Sequence, residues 1–151
     1  MRIELSCWLP RTPEWVWEQV QKSETLDFVA APMIRFVPKS GSFPAIWTAG
    51  NHEASMLLFG ILPLGRQRIG IEYPESSDPM VMRDNGGGAM VNTWDHWMFV
   101  SAHNGGSRYT DRVDVSAGAL TPFAALFARI FYAHRQRRWQ KLSMMNKPAS
   151  Q

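Results

Sequence analysis

Two adjacent polar residues in the segment NTWDHWMFV, Asp95 and His96, are of types that perform acid–base chemistry. An imidazole titrates near neutral pH, and a carboxylate that orients it gives a general base that is usable near neutral pH. The flanking apolar residues predict a strand, on which neighbouring side chains point to opposite faces, so Asp95 and His96 cannot act as a pair. A partner for either residue must come from another strand.

The length of the following turn, HNGG, decides which partner is available. A two-residue hairpin places the even-numbered residues of 96–100 on the same face as Tyr109 and Asp111 of the next strand. A three-residue loop would place the odd-numbered residues of 95–99 there instead. The sequence leaves both loops open and favours the shorter one.

With the shorter turn, His96, Asp111 and Tyr109 form a candidate catalytic group. His96 or Asp111 would act as the base, and Tyr109 as a proton donor. The alternative is structural: Asp111 is a buried acid satisfied by an arginine or a hydroxyl, and His96 is a core histidine with a backbone partner.

The other motifs carry less chemistry. Gly86, Gly87 and Gly88 follow Asn85 and predict a hairpin turn, not a phosphate loop, because no helix start follows them. The four histidines lack metal-ligand spacing, and Cys7, the only cysteine, excludes an intrachain disulfide and a Cys-based zinc site. We therefore predict no metal and no cofactor.

A basic run, FYAHRQRRWQKL at 131–142, ends the last predicted helix. Cations there complement the negative helix end and donate to its final carbonyls. Arg135, Arg137, Arg138 and Lys141 spread around much of the helix and form no single stripe, so a groove-reading nucleic-acid helix is not expected. Contact with an anionic ligand head, an acidic lipid or a partner chain is left open.

The elements that position these residues follow from periodicity and turn signals. Residues 2–9 alternate as a half-buried strand, Thr12 and Pro13 predict the start of a helix, and a second short helix starts near Ser23. About six short strands follow, and an antiparallel sheet is expected because their outer face is polar. Thr121 and Pro122 repeat the cap signature before one long amphipathic helix, whose predicted apolar face comprises Leu120, Phe123, Phe127, Ile130, Phe131 and His134.

Length and composition agree with one ordinary folded domain. We expect it over 1–143, followed by a flexible tail over 144–151. The net charge of +3 is mild, so any basic patch is local. The N-terminal stretch lacks a signal-peptide pattern, and the most apolar window, MLLFGILPLG, is about half as long as a spanning helix requires. A cytoplasmic protein is expected.

The closing segment YTDRVDVSAGALTPFAALFARIFYAHRQRRWQKL, with the order of elements before it, resembles the polyketide cyclase/dehydratase-like branch of the START-like SRPBCC superfamily. The strand YTDRVDV and the helix with Arg-Gln-Arg-Arg-Trp near its end are the most specific part. The resemblance implies an α+β helix-grip fold: a curved antiparallel sheet of about seven strands, two short N-terminal helices, and one long C-terminal helix over the concave face. Lipid and sterol carriers, aromatic polyketide cyclases and proteins without known activity share this fold, so the fold is a firmer inference than the function.

Three hypotheses for function follow. The first is a protein that binds a small, largely apolar ligand between the sheet and the C-terminal helix, and its alternative is a fully packed core. The predicted ligand contacts are Ile69, Ile71, Tyr73, Met98, Phe123, Phe127, Phe131 and His134.

The second hypothesis is a cyclase/dehydratase-like enzyme that uses His96 or Asp111 as its acid or base. The third is an interaction protein that docks a partner or an anionic surface through the basic helix end. The predicted partner is a small apolar or aromatic ligand. Nucleic acid and stable membrane insertion are not expected, and a homodimer is left open.

Overall fold

The elements follow one another in the order that the sequence predicted. A computed structural model describes residues 1–145. The strands are β1 (Arg2–Leu9), β2 (Ile34–Pro38), β3 (Gly50–Leu58), β4 (Leu62–Glu72), β5 (Met80–Gly88), β6 (Thr93–His103) and β7 (Gly106–Ser116). The helices are α1 (Pro13–Val20), α2 (Ser23–Ala30) and α3 (Thr121–Met144). The tail predicted over 144–151 lies outside the described residues from 146 onward, and Met144 is still part of α3.

All seven strands form one antiparallel sheet in the order β1-β7-β6-β5-β4-β3-β2. Every neighbour except β1 follows directly in sequence, so five of the six strand pairs are hairpin neighbours and the first strand pairs with the last. The sheet curves around the helices, with α3 along its concave face. This is the predicted α+β architecture, and it is confirmed. Among residues 1–145 no helix has both the length and the apolar character needed to cross a membrane.

The helix starts confirm one cap prediction and correct another. Thr12 caps α1, because its hydroxyl accepts a hydrogen bond from the amide of Trp15 at 3.2 Å, and Pro13 occupies the first turn. Thr121 is not the cap of α3. Its hydroxyl donates to the carbonyl of Gly118 and accepts from the amide of Ala117, so it holds the preceding turn instead.

The β6–β7 hairpin has the predicted two-residue loop. His103 pairs with Gly106, and the loop residues Asn104 and Gly105 both have positive φ, 47° and 73°, as a type I′ turn requires. Because the register follows from this turn, the side chain of His96 faces the helices and that of Asp95 faces outward.

The glycine run at 86–88 is not a hairpin turn, contrary to the prediction. It belongs to β5 and pairs with β4 and β6. Side chains there would collide with β4: a Cβ added at Gly86 would lie 2.7 Å from the carbonyl oxygen of Arg68, and one added at Gly88 would lie closer still to that of Arg66. The glycines therefore permit a close approach of two strands.

The long helix packs on the sheet with a different face from the predicted one. Phe123 and Ile130, expected in the buried stripe, are 71% and 52% exposed. The buried stripe is rotated by roughly a third of a turn and includes three polar residues, which a hydropathy pattern assigns to solvent. Its members are Ala125, Ala128, Phe131, Tyr132, Arg135, Gln136, Trp139 and Ser143.

Candidate functional site

A cavity of about 270 Å³ lies between the sheet and α3. Aromatic and aliphatic side chains from α2, β2, β3, β4, the β5–β6 loop, β6 and α3 form most of its wall. The apolar part of the wall includes Leu26, Ile34, Phe36, Met56, Leu64, Ile69, Val91, Trp94, Phe127 and Phe131. Asp84, His96 and Arg135 bring polar groups to the same wall. An apolar space with a few convergent polar groups is the usual form of a small-molecule site.

The polar groups interrupt the hydrophobic core at one level. On β7, Asp111 lies between Tyr109 and Val113, which belong to two separate apolar clusters. On β6, His96 separates Met98 of one cluster from Trp94, which packs against the other. On α3, Arg135 and Gln136 likewise fall between Trp139 and Tyr132. The fold therefore brings together the polar side chains that interrupt the apolar pattern of β6, β7 and α3.

Asp111 is the centre of this buried network. Its Oδ1 accepts hydrogen bonds from His96 Nε2 and from the Tyr109 hydroxyl, each at 2.7 Å, and its Oδ2 accepts one from Gln136 Nε2 at 2.7 Å. The guanidinium of Arg135 lies 3.6 Å from Oδ1 and donates to the Tyr109 hydroxyl at 3.2 Å. Burial favours the neutral acid, but Arg135 and the hydrogen bonds outweigh it and hold the pKa of Asp111 below its usual value.

The charge of Asp111 determines the tautomer of His96. An ionised carboxylate only accepts hydrogen bonds, so Nε2 of His96 must carry the proton and Nδ1 the lone pair. Nδ1 makes no hydrogen bond within residues 1–145. Burial lowers the pKa of His96 despite the attraction of Asp111, which keeps the imidazole neutral at neutral pH. His96 therefore combines a free lone pair with a place in the cavity wall, as a general base requires.

Asp84 contributes a carboxyl group to the cavity wall itself. It lies on β5 opposite His96, and its Oδ1 accepts a hydrogen bond from the amide of Gly70 at 2.8 Å. Burial raises the pKa of Asp84 to about 7, although the Gly70 amide and the positive charge of Arg135 act in the opposite direction. Near neutral pH this carboxyl group can therefore donate or accept a proton.

Arg135 lies beside Asp111, and its positive charge also acts on Asp84. It is 4% exposed, lines the cavity, and lies over the ring of Tyr132 with 5.5 Å between the guanidinium carbon and the ring centroid. Its Nε has no hydrogen-bond partner among the described residues, and the same holds for Oε1 of Gln136. Buried polar atoms without partners are uncommon in native proteins and are found at sites that receive a ligand or water.

The structure places some predicted ligand contacts in the cavity and others behind it. Ile69, Phe123, Phe127 and Phe131 line the cavity. Ile71 and Met98 instead line a smaller void of about 40 Å³, which shares Asp84, His96 and Arg135 with the cavity.

Of the predicted catalytic residues, only His96 lines the cavity. Asp111 and Tyr109 are 1% and 0% exposed and lie behind His96 and Arg135, and Tyr109 packs against Trp139. They can orient His96 but do not reach a molecule in the cavity.

Tyr73 and His134 do not line the cavity, contrary to the prediction. Tyr73 lies near the end of β4, and its hydroxyl donates to the carbonyl of Trp47 at 2.5 Å. His134 lies on a side of α3 that faces α2, where Nε2 is 2.8 Å from the carbonyl of Ala31. The prediction for Tyr73 was wrong because it relied on strand alternation alone. The prediction for His134 was wrong because it relied on the wrong face of α3.

Sequence reasoning missed Asp84 and misassigned Arg135. Asp84 directly precedes the residues that were predicted to form a hairpin turn, and only the β5–β6 pairing brings it opposite His96. Arg135 was counted with the basic helix end, yet it is buried. One available signal was its spacing from Phe131 and Trp139, one helical turn on either side, which places it on their face.

Part of the remaining basic helix end makes contacts within the molecule. Arg138 donates to the carbonyl of Phe28 at 3.0 Å and lies 4.0 Å above its ring. Arg11 comes from the α1 side to donate to the carbonyls of Ser143 and Met145. Within the part of the run that the structure describes, only Arg137 and Lys141 are left as exposed cations.

Comparisons with solved structures agree with this architecture. The protein TTHA0849 from Thermus thermophilus is 8% identical, with 95% of this chain and 97% of that chain covered and a TM-score of 0.67. The Aha1 dimer from Colwellia psychrerythraea is 11% identical, with coverages of 97% and 98% and a TM-score of 0.65. The Zhui aromatase/cyclase from Streptomyces sp. R1128 is 7% identical, with coverages of 95% and 93% and a TM-score of 0.62.

At these identities the likeness establishes the fold alone, which is the predicted helix-grip fold. Comparison with curated proteins gives no match. A family model described as Domain of unknown function (DUF8410) matches residues 8–142, from β1 to the last turn of α3. The chain is a helix-grip protein that belongs to this family.

Proposed function

We propose that the protein binds a small, largely apolar molecule with one polar end in the cavity between the sheet and α3. The observation that carries this proposal is the composition of the cavity wall: mostly aromatic and aliphatic side chains, with Asp84, His96 and Arg135 as one group of polar residues and Arg66 and Gln67 as another. A packed core would have filled this volume, since protein interiors leave few voids larger than a water molecule.

The size and chemistry of the cavity restrict the ligand. At about 270 Å³, it lies just below the usual range of roughly 300–1,000 Å³ for small-molecule sites, so the ligand is compact. Trp94, Phe127 and Phe131 favour an aromatic or polycyclic apolar body. The acceptor on His96 and the ionisable carboxyl group of Asp84 favour a head group that both donates and accepts hydrogen bonds, such as a hydroxyl.

A cavity-filling substitution tests this proposal. Ala124 lines the cavity and is half-buried, whereas Ala133 lies on the same helix with similar exposure and does not line it. Ala124→Trp should abolish binding of an environment-sensitive apolar dye, and Ala133→Trp should leave it intact. Native mass spectrometry of the freshly purified protein should show a bound molecule that the Ala124 variant lacks. Equal dye binding by both variants would contradict the proposal.

The position of His96 supports a second candidate function, a cyclase/dehydratase-like enzyme. His96 lines the cavity, Asp111 accepts the hydrogen bond from its Nε2 and so leaves Nδ1 as the basic nitrogen, and a structure with the same fold is an aromatase/cyclase. Such a base would remove a proton next to a carbonyl group, and Asp84 in its neutral form would protonate the oxygen of the resulting enolate.

Proton exchange provides a test that needs no knowledge of the natural substrate. The protein should accelerate deuterium exchange at the acidic carbon of a small aromatic β-diketone, measured by NMR. His96→Gln should slow this exchange about 100-fold or more, the usual contribution of a general base, without loss of dye binding. Exchange no faster than in buffer would leave binding alone as the function.

A further inference from the structure

Large apolar side chains surround the mouth of the cavity. Six of them, here called the rim, come from three separate segments and are between 58% and 82% exposed. The rim comprises Phe59, Ile61, Met90, Leu120, Phe123 and Leu126. Such a concentration of exposed apolar residues marks an interaction surface, because isolated monomers seldom present one without a use for it.

The rim is continuous with the cavity. Leu120, Phe123 and Met90 are themselves part of the cavity wall. Phe59 and Ile61 form the tip of the β3–β4 hairpin, whose strands place Met56 and Leu64 in that wall. A body that covers the rim therefore also covers the opening through which a ligand enters.

The charged residues within the three rim segments have one sign. The segments that carry it, 58–66, 88–94 and 117–131, contain no Asp or Glu, although the chain has 13 of them. They do contain Arg66 and Arg129, both exposed and without a salt bridge within residues 1–145. An apolar surface whose own segments carry cations and no carboxylates complements an anionic lipid headgroup layer above an acyl region.

We infer that the rim docks the protein on the surface of an anionic lipid bilayer and opens the cavity toward the acyl region. A second copy of the chain fits the rim less well, because an isologous contact would bring each Arg66 and Arg129 close to the cations of the other copy. This contact is peripheral and lies on the half of α3 opposite to its basic C-terminal end. An apolar ligand would pass between bilayer and cavity without crossing water.

Vesicle flotation of the full chain tests the inference. No ligand is added, so the result does not depend on the proposed function of the cavity. The wild type should float with vesicles of phosphatidylcholine and phosphatidylglycerol, and more weakly with phosphatidylcholine alone. Ile61→Ser combined with Phe123→Ser should lower the partition constant about tenfold or more. Arg129→Gln should lower it about fivefold on the anionic vesicles only.

The control is Ile46→Ser, which removes a side chain that is 50% exposed but lies outside the rim. It should float like the wild type. Since all the altered residues are exposed, each variant should keep its far-UV circular dichroism spectrum. Failure of the wild type to float with either vesicle, or flotation of the double variant at the wild-type level, would overturn the inference. A wild-type dimer that is detected by sedimentation equilibrium and is absent in the double variant would also overturn the inference.

Discussion

Replacing Asp84 by asparagine keeps the size of the side chain and an oxygen that accepts the hydrogen bond from the Gly70 amide, but removes the charge. Burial is the main reason that the pKa of Asp84 is raised from 3.8 to about 7. The native state therefore holds a proton that the unfolded chain has released between about pH 4 and pH 7. Because the native state binds more protons in this window, stability must fall as pH rises through it.

The size of the effect follows from the shift. About three pKa units at about 1.4 kcal/mol each set an upper value of about 4 kcal/mol once Asp84 is fully ionised. The side chain is only partly buried, and water that enters the cavity screens its charge, so we expect about 2 kcal/mol. Asp84→Asn should therefore be about 2 kcal/mol more stable than the wild type at pH 8.5, with a much smaller difference at pH 4.5.

Urea unfolding at pH 4.5, 6.5 and 8.5 measures this difference. His96 changes stability in the opposite direction, because its lowered pKa costs the native state stability as pH falls, but it does so in both proteins and cancels. Asp95 provides a control of opposite sign. It pairs with Arg83 on the outer face, which lowers its pKa, so Asp95→Asn should be less stable than the wild type at pH 8.5.

A constant difference between Asp84→Asn and the wild type at all three pH values would refute the reasoning. It would mean that ionising Asp84 costs no more free energy in the native state than in the unfolded chain. The cavity would then not be an apolar space that disfavours the ionised form of Asp84.

Three further predictions concern the surroundings of the site. Asp111→Asn should reduce the free energy of unfolding, measured with urea, by about 3–5 kcal/mol, because buried donors lose their charged partner. Asp114→Asn, which alters a surface pair, should reduce it by less than about 1 kcal/mol in the same assay. Tyr73→Phe should leave dye binding unchanged, since Tyr73 lies outside the cavity, and should cost about 1 kcal/mol for its lost hydrogen bond. Gly70→Ala should destabilise the protein by about 1–3 kcal/mol in the same assay, because the added carbon would lie 2.6 Å from the Asn85 carbonyl oxygen.

Strand patterns and turn chemistry predicted the sheet because both are local signals. Alternation in β1 and β7 and the Asn104–Gly105 turn together fixed which side of β6 faces the helices. Once that face was known, the approach of His96 to Asp111 followed from cross-strand geometry. The roles of these residues in binding or catalysis stay predictions.

Residues that combine burial with charge were beyond the reach of pattern reading. The buried face of α3 includes Arg135 and Gln136, and their burial is stabilised by Asp111 and Tyr109 from another element. A hydropathy pattern takes each residue alone and assigns both to solvent, while it assigns the exposed Phe123 to the core. Asp84 was missed for the same reason, since its environment is created by strand pairing and not by its neighbours in sequence.

The long helix presents two different faces, one that packs on the sheet and one that borders the cavity. Ala128, Gln136 and Trp139 belong to the first, and Ala124 and Phe127 to the second. Substitutions on the second face change the shape of the cavity with little loss of the contacts that hold the helix in place. On the proposed function, ligand preference can therefore change while the scaffold is kept, and the cavity face of α3 is the place to introduce a new specificity by design.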